Sequence, residues 1–281
     1  MIFSSSGGRC GLLSGGCLEE DLQEHSQRLL NSSKRSLITY YDNRGSDNAI
    51  WGLGLGCEGS MQILLLRIDS ENGYQPLAGL FDADERQHHC AFDIDIETGT
   101  VSVSGATDTA LSGTIFTIAS KKITRLIIFG AGPDAEPVVA LARLLGWRVT
   151  VVDHRAAYLD IRRFDPLTQL VLADGFALPA GVRLNEFDAA VVMSHHLNAD
   201  SHYLAMMAET TIPYVGLLGP LSRRERLFTN LAAAEKLMTR LRAPVGLDLG
   251  GRTPEEIALS IVAEIQATTN NRIGMPFSGS R

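Results

Sequence analysis

The sequence has few cysteines, and none of them has the spacing that zinc or disulfide-rich proteins use. Its 281 residues contain four, at positions 10, 17, 57 and 90, and no C-x-x-C motif occurs. So few thiols exclude a disulfide scaffold, and the missing motif leaves no sign of a zinc knuckle. We therefore expect reduced thiols.

Positive charge and long apolar runs are also scarce. Lysine and arginine total 25 against 32 acidic residues, which gives a formal charge of −7 and disfavours a nucleic-acid partner. The longest aliphatic runs, such as MQILLL, are much shorter than the roughly 20 residues of a membrane span. The start MIFSSSGGRC is unlike a secretory signal. We predict a soluble, cytoplasmic protein with no membrane partner.

The second half of the chain shows a regular alternation of strand and helix patterns. LIIFGAGPDAEPVVALARLLGWRVTVVDHR predicts one βαβ unit, and further apolar segments follow at QLVLAD, AAVVMSHH, PYVGLLGP and PVGLDLG. The last helix begins with a capping box, since Thr253 precedes Pro254 and Glu256. The pattern predicts an α/β fold with a doubly wound parallel sheet.

The first half of the chain has a different sequence pattern, and we place a domain boundary near Lys122. Residues 1–68 predict a small α+β domain, with a helix through about Leu30, a strand at SLITYYD and a second strand after a glycine-rich segment. Residues 69–122 are polar and contain AFDIDIE and TVSVSG, which predict an antiparallel hairpin or linker. Residues 123–281 form the second domain.

A glycine-rich loop joins the first strand and helix of this second domain. Gly130 and Gly132 begin a G-x-G-x-x-A pattern, and Asp153 ends the next strand. In a Rossmann-type domain such glycines face a pyrophosphate, and the acidic residue accepts hydrogen bonds from a ribose. Pro133 removes an amide donor, however, and Asp134 adds a negative charge. The pattern predicts the Rossmann-type fold and leaves the ligand open.

Three loops are expected to meet beside this glycine loop. If the strands take the order 3-2-1-4-5-6, Gly130 lies next to residues 194–196, and the GLLGP loop with Gly216 and Gly219 follows. These glycines are candidate ligand-binding positions.

His195 is the candidate ligand contact or proton carrier of that crevice. The alternative interpretation of HHLNADSH is the end of a strand followed by a helix that Asn198 or Asp200 caps. The residue types would suit a metal, but their spacing is not that of a known ligand set, and we predict no metal site.

Cys17 follows Gly15 and Gly16 at the start of the first predicted helix. Unpaired amides at a helix N-terminus stabilise a thiolate, but the acidic residues at positions 19–21 oppose it.

Cys57 follows Gly54 and Gly56 in WGLGLGCEG, where successive amides could face an anion. For both cysteines the alternative is a small buried residue beside a tight turn.

Seven motifs in order make the chain resemble the XdhC/CoxI family of accessory proteins for molybdenum hydroxylases. They are SGGCLEEDL, WGLGLGCEG, LIIFGAGPDAEPVV, VTVVDHR, VVMSHHLNAD, PYVGLLGP and PVGLDLGGRTPEEIALSIVAEI. The resemblance covers nearly the whole chain and implies an N-terminal cysteine-motif domain followed by a Rossmann domain. Relatives usually have a further N-terminal segment, so it also implies that the first domain is truncated or reduced at its start.

The resemblance implies a function in maturing a xanthine dehydrogenase-type molybdenum hydroxylase. Such proteins bind the molybdenum cofactor (molybdopterin) transiently, protect it during sulfuration by a cysteine desulfurase-type donor, and deliver it to the apoenzyme. Cys17 and Cys57 match the family's motif cysteines and would handle cofactor or sulfur. Corresponding places in the Rossmann domain are occupied by Gly130, Gly132, Asp153 and His195. A homodimer is also implied.

Two enzymatic alternatives remain beside this chaperone function. One is an NAD(P)-dependent oxidoreductase that uses the crevice at Gly130, with His195 as its acid or base. The other makes Cys17 or Cys57 a persulfide carrier. The sequence has no evident catalytic set beyond His195, so we expect an accessory protein, with NAD(P) or another nucleotide left open as a ligand of the crevice.

Overall fold

The computed structural model describes residues 1–13, 16, 18–42, 60–85, 89–105, 113–229 and 234–275. The chain divides into two compact units, Met1–Lys122 and Ile123–Arg281. In the part of the chain described, no helix is long and apolar enough to cross a membrane.

In its described residues, the first unit contains three small antiparallel sheets and two α-helices. Its strands are β1 Ile2–Phe3, β2 Arg9–Cys10, β3 Ser36–Asp42, β4 Ser60–Leu66, β5 Ala91–Asp95, β6 Val101–Val103 and β7 Ile115–Ala119, and its helices are α1 Glu19–Leu30 and α2 Leu77–Glu85. The predicted helix through Leu30, the strand at SLITYYD and the hairpin of AFDIDIE with TVSVSG are confirmed.

Two small cores stabilise this unit. Leu22 and Leu29 of α1 pack with Leu65 of β4, and all three are buried. In the β6-β5-β7 sheet, Phe92 is buried against α2, where its ring lies so close to Gly79 that an added Cβ would be 2.2 Å away. Burial of these apolar side chains is the main stabilising contribution.

The second unit is a six-stranded parallel sheet with helices on both faces. Its strands are β8 Arg125–Phe129, β9 Arg148–Asp153, β10 Gln169–Leu172, β11 Ala189–Val192, β12 Tyr214–Leu217 and β13 Leu241–Arg242, and its helices are α3 Ala135–Leu144, α4 Leu197–Ala208, α5 Leu221–Phe228 and α6 Pro254–Thr269. Short 3-10 turns lie at Ala156–Tyr158, Ile161–Arg163, Leu184–Glu186 and Ala234–Leu237.

The strand order is β10-β9-β8-β11-β12-β13, which is the predicted order 3-2-1-4-5-6. Phe129 at the end of β8 pairs with Val152 of β9 and Val192 of β11. Because the strands are parallel, their carboxyl ends lie at one edge of the sheet, where the crevice is expected. α3 and α6 pack on one face of the sheet and α4 on the other, so both faces are buried. The predicted fold class is confirmed.

The sequence predicts the start of α6 correctly but misplaces the sixth strand. The side chain of Thr253 accepts the amide of Glu256, and the Glu256 carboxylate accepts the amide of Thr253, so the capping box is confirmed. The prediction of a strand at PVGLDLG is wrong, because β13 is Leu241–Arg242, and Ala243 separates it from that segment. Pro244 has no amide to donate, and Gly246 has a φ of +103°, so the ladder ends there.

Candidate functional site

The glycine loop passes directly over the end of β11. Gly130 has a φ of +122°, and a Cβ at this position would lie 2.5 Å from the carbonyl oxygen of Met193 and 2.7 Å from the Cα of Ser194. Only glycine allows two backbones to approach this closely. The predicted meeting of the Gly130 loop with residues 194–196 is therefore observed.

Asp153, the candidate ribose acceptor, is buried and bonded within the chain. Its Oδ2 accepts the amide of Ala131 at 2.7 Å and Arg155 Nη2 at 2.9 Å, and its Oδ1 accepts the amide and Nε of Arg155 at 2.8 and 2.9 Å. Burial alone would raise the pKa of Asp153, but these bonds outweigh it, and the pKa is lowered. Asp153 thus ties the glycine loop to the end of β9.

His195 lies over the second glycine of the motif. Its Nε2 is 2.9 Å from Oδ2 of Asp134, and its Cδ2 is the atom nearest to a Cβ built on Gly132, at 3.9 Å. Its φ of +60° is unusual for a residue with a side chain, and its ring is 58% exposed. The ring therefore covers the loop from the side of the crevice.

These contacts do not match the requirements of a nicotinamide dinucleotide. Both carboxylate oxygens of Asp153 already accept two bonds each. Pro133 supplies no amide, and the Asp134 carboxylate lies beside the loop where a pyrophosphate would need positive charge. The oxidoreductase alternative gains no support from this geometry.

A buried ion pair holds the end of β11 to the helices that follow. Asp200 is fully buried, and its Oδ2 accepts Nε and Nη2 of Arg223 at 3.1 and 2.5 Å. Its Oδ1 accepts the amide of Ser194 at 3.2 Å and also the Ser194 hydroxyl. Asp200 therefore fixes the backbone just before His195.

The cap of α4 differs from the prediction. The helix begins at Leu197, and its N-cap is His196, whose Nδ1 accepts the amide of Ala199 at 3.3 Å. Asn198 and Asp200 lie inside the first turn, so neither caps the helix. Asp200 instead turns inward to Arg223.

The two glycines of the GLLGP loop have different surroundings. Gly216 lies inside β12, where a Cβ would be 2.5 Å from Val245 Cγ2, so its absent side chain makes room for the core. Gly219 has a φ of +128°, and a Cβ there would be 2.5 Å from Arg223 Cδ. Because Gly219 has no side chain, the Arg223 side chain has room to reach Asp200.

A buried carboxylate accepts backbone amides beside the start of α1 in the first unit. Glu19 is 1% exposed; its Oε1 accepts the amide of Leu13 at 3.0 Å, and its Oε2 accepts the amides of Gly16 at 2.9 Å and Leu18 at 3.2 Å. The amides of Leu13, Gly16 and Leu18 therefore already have an anionic acceptor within the chain. The predicted positions Gly15, Cys17, Gly54, Gly56 and Cys57 lie outside the described residues.

We expect Glu19→Gln to lower the free energy of unfolding of the first unit by about 1–3 kcal/mol, because charge-assisted bonds weaken and an amide donor faces other donors. Urea unfolding followed by circular dichroism measures the change. The matched control is Glu20→Gln, since the Glu20 side chain is exposed. Equal unfolding curves for the two variants would contradict the structural role of the Glu19 carboxylate.

Sequence reasoning missed the residues that hold these segments in place. In the sequence, Glu19 stands out only as a charge that opposes a thiolate, and the ion pair of Asp200 with Arg223 joins residues of two different helices. A signal did exist for Arg155, which follows Asp153 by two residues, a short distance for a side chain to fold back. Within the described residues, no group of three or more histidine, cysteine, aspartate or glutamate side chains could hold a metal ion.

The fold and the glycine loop together define the class of the second unit. A parallel sheet in the order 3-2-1-4-5-6, with a tight glycine loop between β8 and α3, is a Rossmann-type domain. The model of the XdhC Rossmann domain matches residues 126–265, and the model of the XdhC and CoxI family matches residues 1–41. The chain belongs to the XdhC and CoxI family.

Individual relatives agree with this membership. A probable xanthine dehydrogenase subunit of Bacillus subtilis is 32% identical over 95% of this chain and 87% of its own length. The molybdenum cofactor insertion chaperone PaoD of Escherichia coli is 24% identical over 94% of this chain and 76% of its own. The crystal structure of a xanthine dehydrogenase from Bacillus halodurans superimposes with a TM-score of 0.79 at 28% identity, covering 98% of this chain and 88% of that one.

Proposed function

We propose that the protein is an accessory factor that binds the molybdenum cofactor and delivers it to a xanthine dehydrogenase-type molybdenum hydroxylase. The observation that carries this proposal is family membership along the chain, together with a relative that is itself named a molybdenum cofactor insertion chaperone. The relative from Bacillus subtilis, named as part of a xanthine dehydrogenase, supports the class of target enzyme.

The contacts of the crevice favour a binding protein over a dehydrogenase. The charged groups nearest the glycine loop, Asp153 and Asp134, are paired with Arg155 and His195. A hydride-transfer enzyme needs its acidic residue free for the ribose and its loop amides free for the pyrophosphate.

Cys17 and Cys57 are the groups we propose for holding the cofactor or its sulfur, because soft thiolate ligands suit molybdenum and sulfur. The proposal includes sulfuration with a cysteine desulfurase-type donor, and action as a cytoplasmic homodimer. Binding is transient, since the cargo must be released to the apoenzyme.

We expect Cys17→Ser and Cys57→Ser to lose most of the molybdenum and pterin that co-purify with the wild-type chain, because a hydroxyl is a poor ligand for a soft metal. The chain is expressed in cells that synthesise molybdopterin, and metal analysis and pterin fluorescence measure retention. Cys10→Ser is the matched control, since Cys10 is exposed and outside both motifs. Equal retention in all three variants would remove the two motif cysteines from the site.

A further inference from the structure

The outer edge of β3 has no neighbouring strand among the described residues of the first unit. β3 and β4 form a two-stranded sheet, each strand seven residues long. The amide of Arg67 donates to the carbonyl of Arg35 at 2.8 Å, which makes this a hydrogen-bonded pair. Because such pairs alternate with non-bonded ones, the amides and carbonyls of Ser36, Ile38 and Tyr40 point away from β4. An edge of this length is usually covered or interrupted in a native protein.

The two faces of this sheet have different surroundings. Leu37 and Tyr41 of β3 point to α1 and belong to its core. Side chains alternate along a strand, so Ser36, Ile38 and Tyr40 point to the opposite face. Tyr40 is 68% exposed there. The residues with outward amides and carbonyls thus also carry the exposed aromatic ring.

A groove of about 460 Å³ lies along the same edge. It is lined by Ile38 and Tyr40 of β3 and by residues 96–98 of the turn that joins β5 to β6. Ser36 is buried, and its hydroxyl donates to the carbonyl of Ile96 at 2.8 Å. The turn therefore lies at the Ser36 end of the edge, and a side chain placed opposite Ser36 enters the groove.

One antiparallel register pairs β3 with β3 of a second copy through all three outward residues. When Ile38 lies opposite Ile38 of the second copy, Ser36 lies opposite the second copy's Tyr40, and two-fold symmetry repeats this contact. Residues directly opposite each other share one face of a sheet, with Cβ atoms about 4.5–5.5 Å apart. The exposed Tyr40 ring of each copy therefore meets the groove of the other.

The charges at the two ends of β3 agree with this register. The sequence has a lysine at position 34 and an aspartate at position 42, which the same register places opposite each other across the two copies. Opposite charges at facing positions stabilise an antiparallel pair. The edge of β3 is thus complementary to itself in backbone groups, in shape and in charge.

We propose that two copies of the chain associate by antiparallel pairing of β3 with β3, which forms a four-stranded sheet in which Tyr40 of each copy occupies the groove beside Ser36 of the other. The proposal rests on the homodimer that the proposed function includes, and it names the surface and the register of that dimer. Each groove is incomplete without the second copy, which supplies the aromatic ring.

Sedimentation equilibrium of the full-length chain tests the role of Tyr40. We expect the wild type to be a dimer and Tyr40→Asp to raise the dimer dissociation constant at least about tenfold, because each dimer loses two buried aromatic anchors. The matched control is Tyr74→Asp, since Tyr74 is also exposed, at 59%, and lies elsewhere in the first unit. This control should leave the dissociation constant unchanged, and both variants should keep the circular dichroism spectrum of the wild type.

Cross-linking with a short bismaleimide tests the register. Ile38→Cys should give a covalent dimer above the background of the wild type's own cysteines, because hydrogen-bonded residues opposite each other have Cα atoms about 5.5 Å apart. Gln62→Cys is the control: Gln62 is exposed on β4, opposite Tyr40, so the two copies of this residue are three strand spacings apart, about 14 Å. It should give no covalent dimer above that background.

Three results would each overturn the proposal: a monomeric wild type, a Tyr40→Asp variant that dimerises as Tyr74→Asp does, or equal cross-linking of Ile38→Cys and Gln62→Cys. Molybdenum and pterin retention, measured on the same preparations, separates this proposal from the proposed function. A chain that retains the cofactor without pairing through β3 contradicts only the docking surface. A chain that pairs through β3 and retains no cofactor contradicts only the carrier function.

Discussion

Replacing Gly130 with alanine is expected to lower the free energy of unfolding of the second unit by about 3–5 kcal/mol. A methyl group here would lie 2.5 Å from the carbonyl oxygen of Met193, which is backbone and cannot turn aside. The φ of +122° adds a conformational cost. Urea unfolding followed by the fluorescence of Trp147 measures the effect, in a chain whose other tryptophan, Trp51, is replaced by phenylalanine.

Gly146→Ala separates the two causes of the Gly130 effect. Gly146 follows α3 with a φ of +78°, and nothing lies within 4 Å of the position of its Cβ. Only the backbone cost applies there, about 1–2 kcal/mol. If Gly130→Ala were no more destabilising than Gly146→Ala, the close approach of the glycine loop to β11 would be contradicted.

The second large effect is expected from Arg223→Ala. The substitution leaves the fully buried Asp200 carboxylate without its only arginine among the described residues, and a lone buried charge costs about 3–5 kcal/mol. Because Asp200 also holds the amide of Ser194, we expect hydrogen exchange to rise at residues 193–196. Trp147 fluorescence in urea measures the loss of stability.

Arg162→Ala is the control for the Arg223 variant. Arg162 also donates guanidinium bonds to an aspartate, Asp160, through its Nε and Nη2, but its side chain is 86% exposed. Water replaces such a partner, so the unfolding midpoint should not change measurably. A comparable loss of stability in both variants would show that burial of Asp200 does not decide the effect.

The parts of the fold that the sequence predicted correctly carry their signals locally. The capping box of α6 is complete within four residues, from Thr253 to Glu256. Five of the six strands contain short apolar runs bounded by turn residues, and right-handed crossovers restrict the strand order to a few alternatives. The segment PVGLDLG is apolar enough for a buried strand, but its hydropathy does not show that Pro244 has no amide to donate to a neighbouring strand.

The side-chain contacts of the crevice could not be predicted in the same way. A carboxylate at the end of the second strand can accept hydrogen bonds from a ribose or from groups of the chain itself. The conformation of the Arg155 side chain, which bonds Asp153, decides between these two roles. Likewise, a tyrosine at position 203 fits any buried helix face. Whether its hydroxyl finds a hydrogen-bond partner depends on which groups the fold brings beside it, and no described residue bonds it.

The two outer strands of the large sheet are short. β13 has two residues and β10 has four, while the central strands β8 and β9 have five and six. An outer strand offers its unpaired amides and carbonyls to any extended chain that meets it, and the number of such groups sets how firmly a foreign strand is held. With so few such groups on either side, the second unit resists edge-to-edge aggregation.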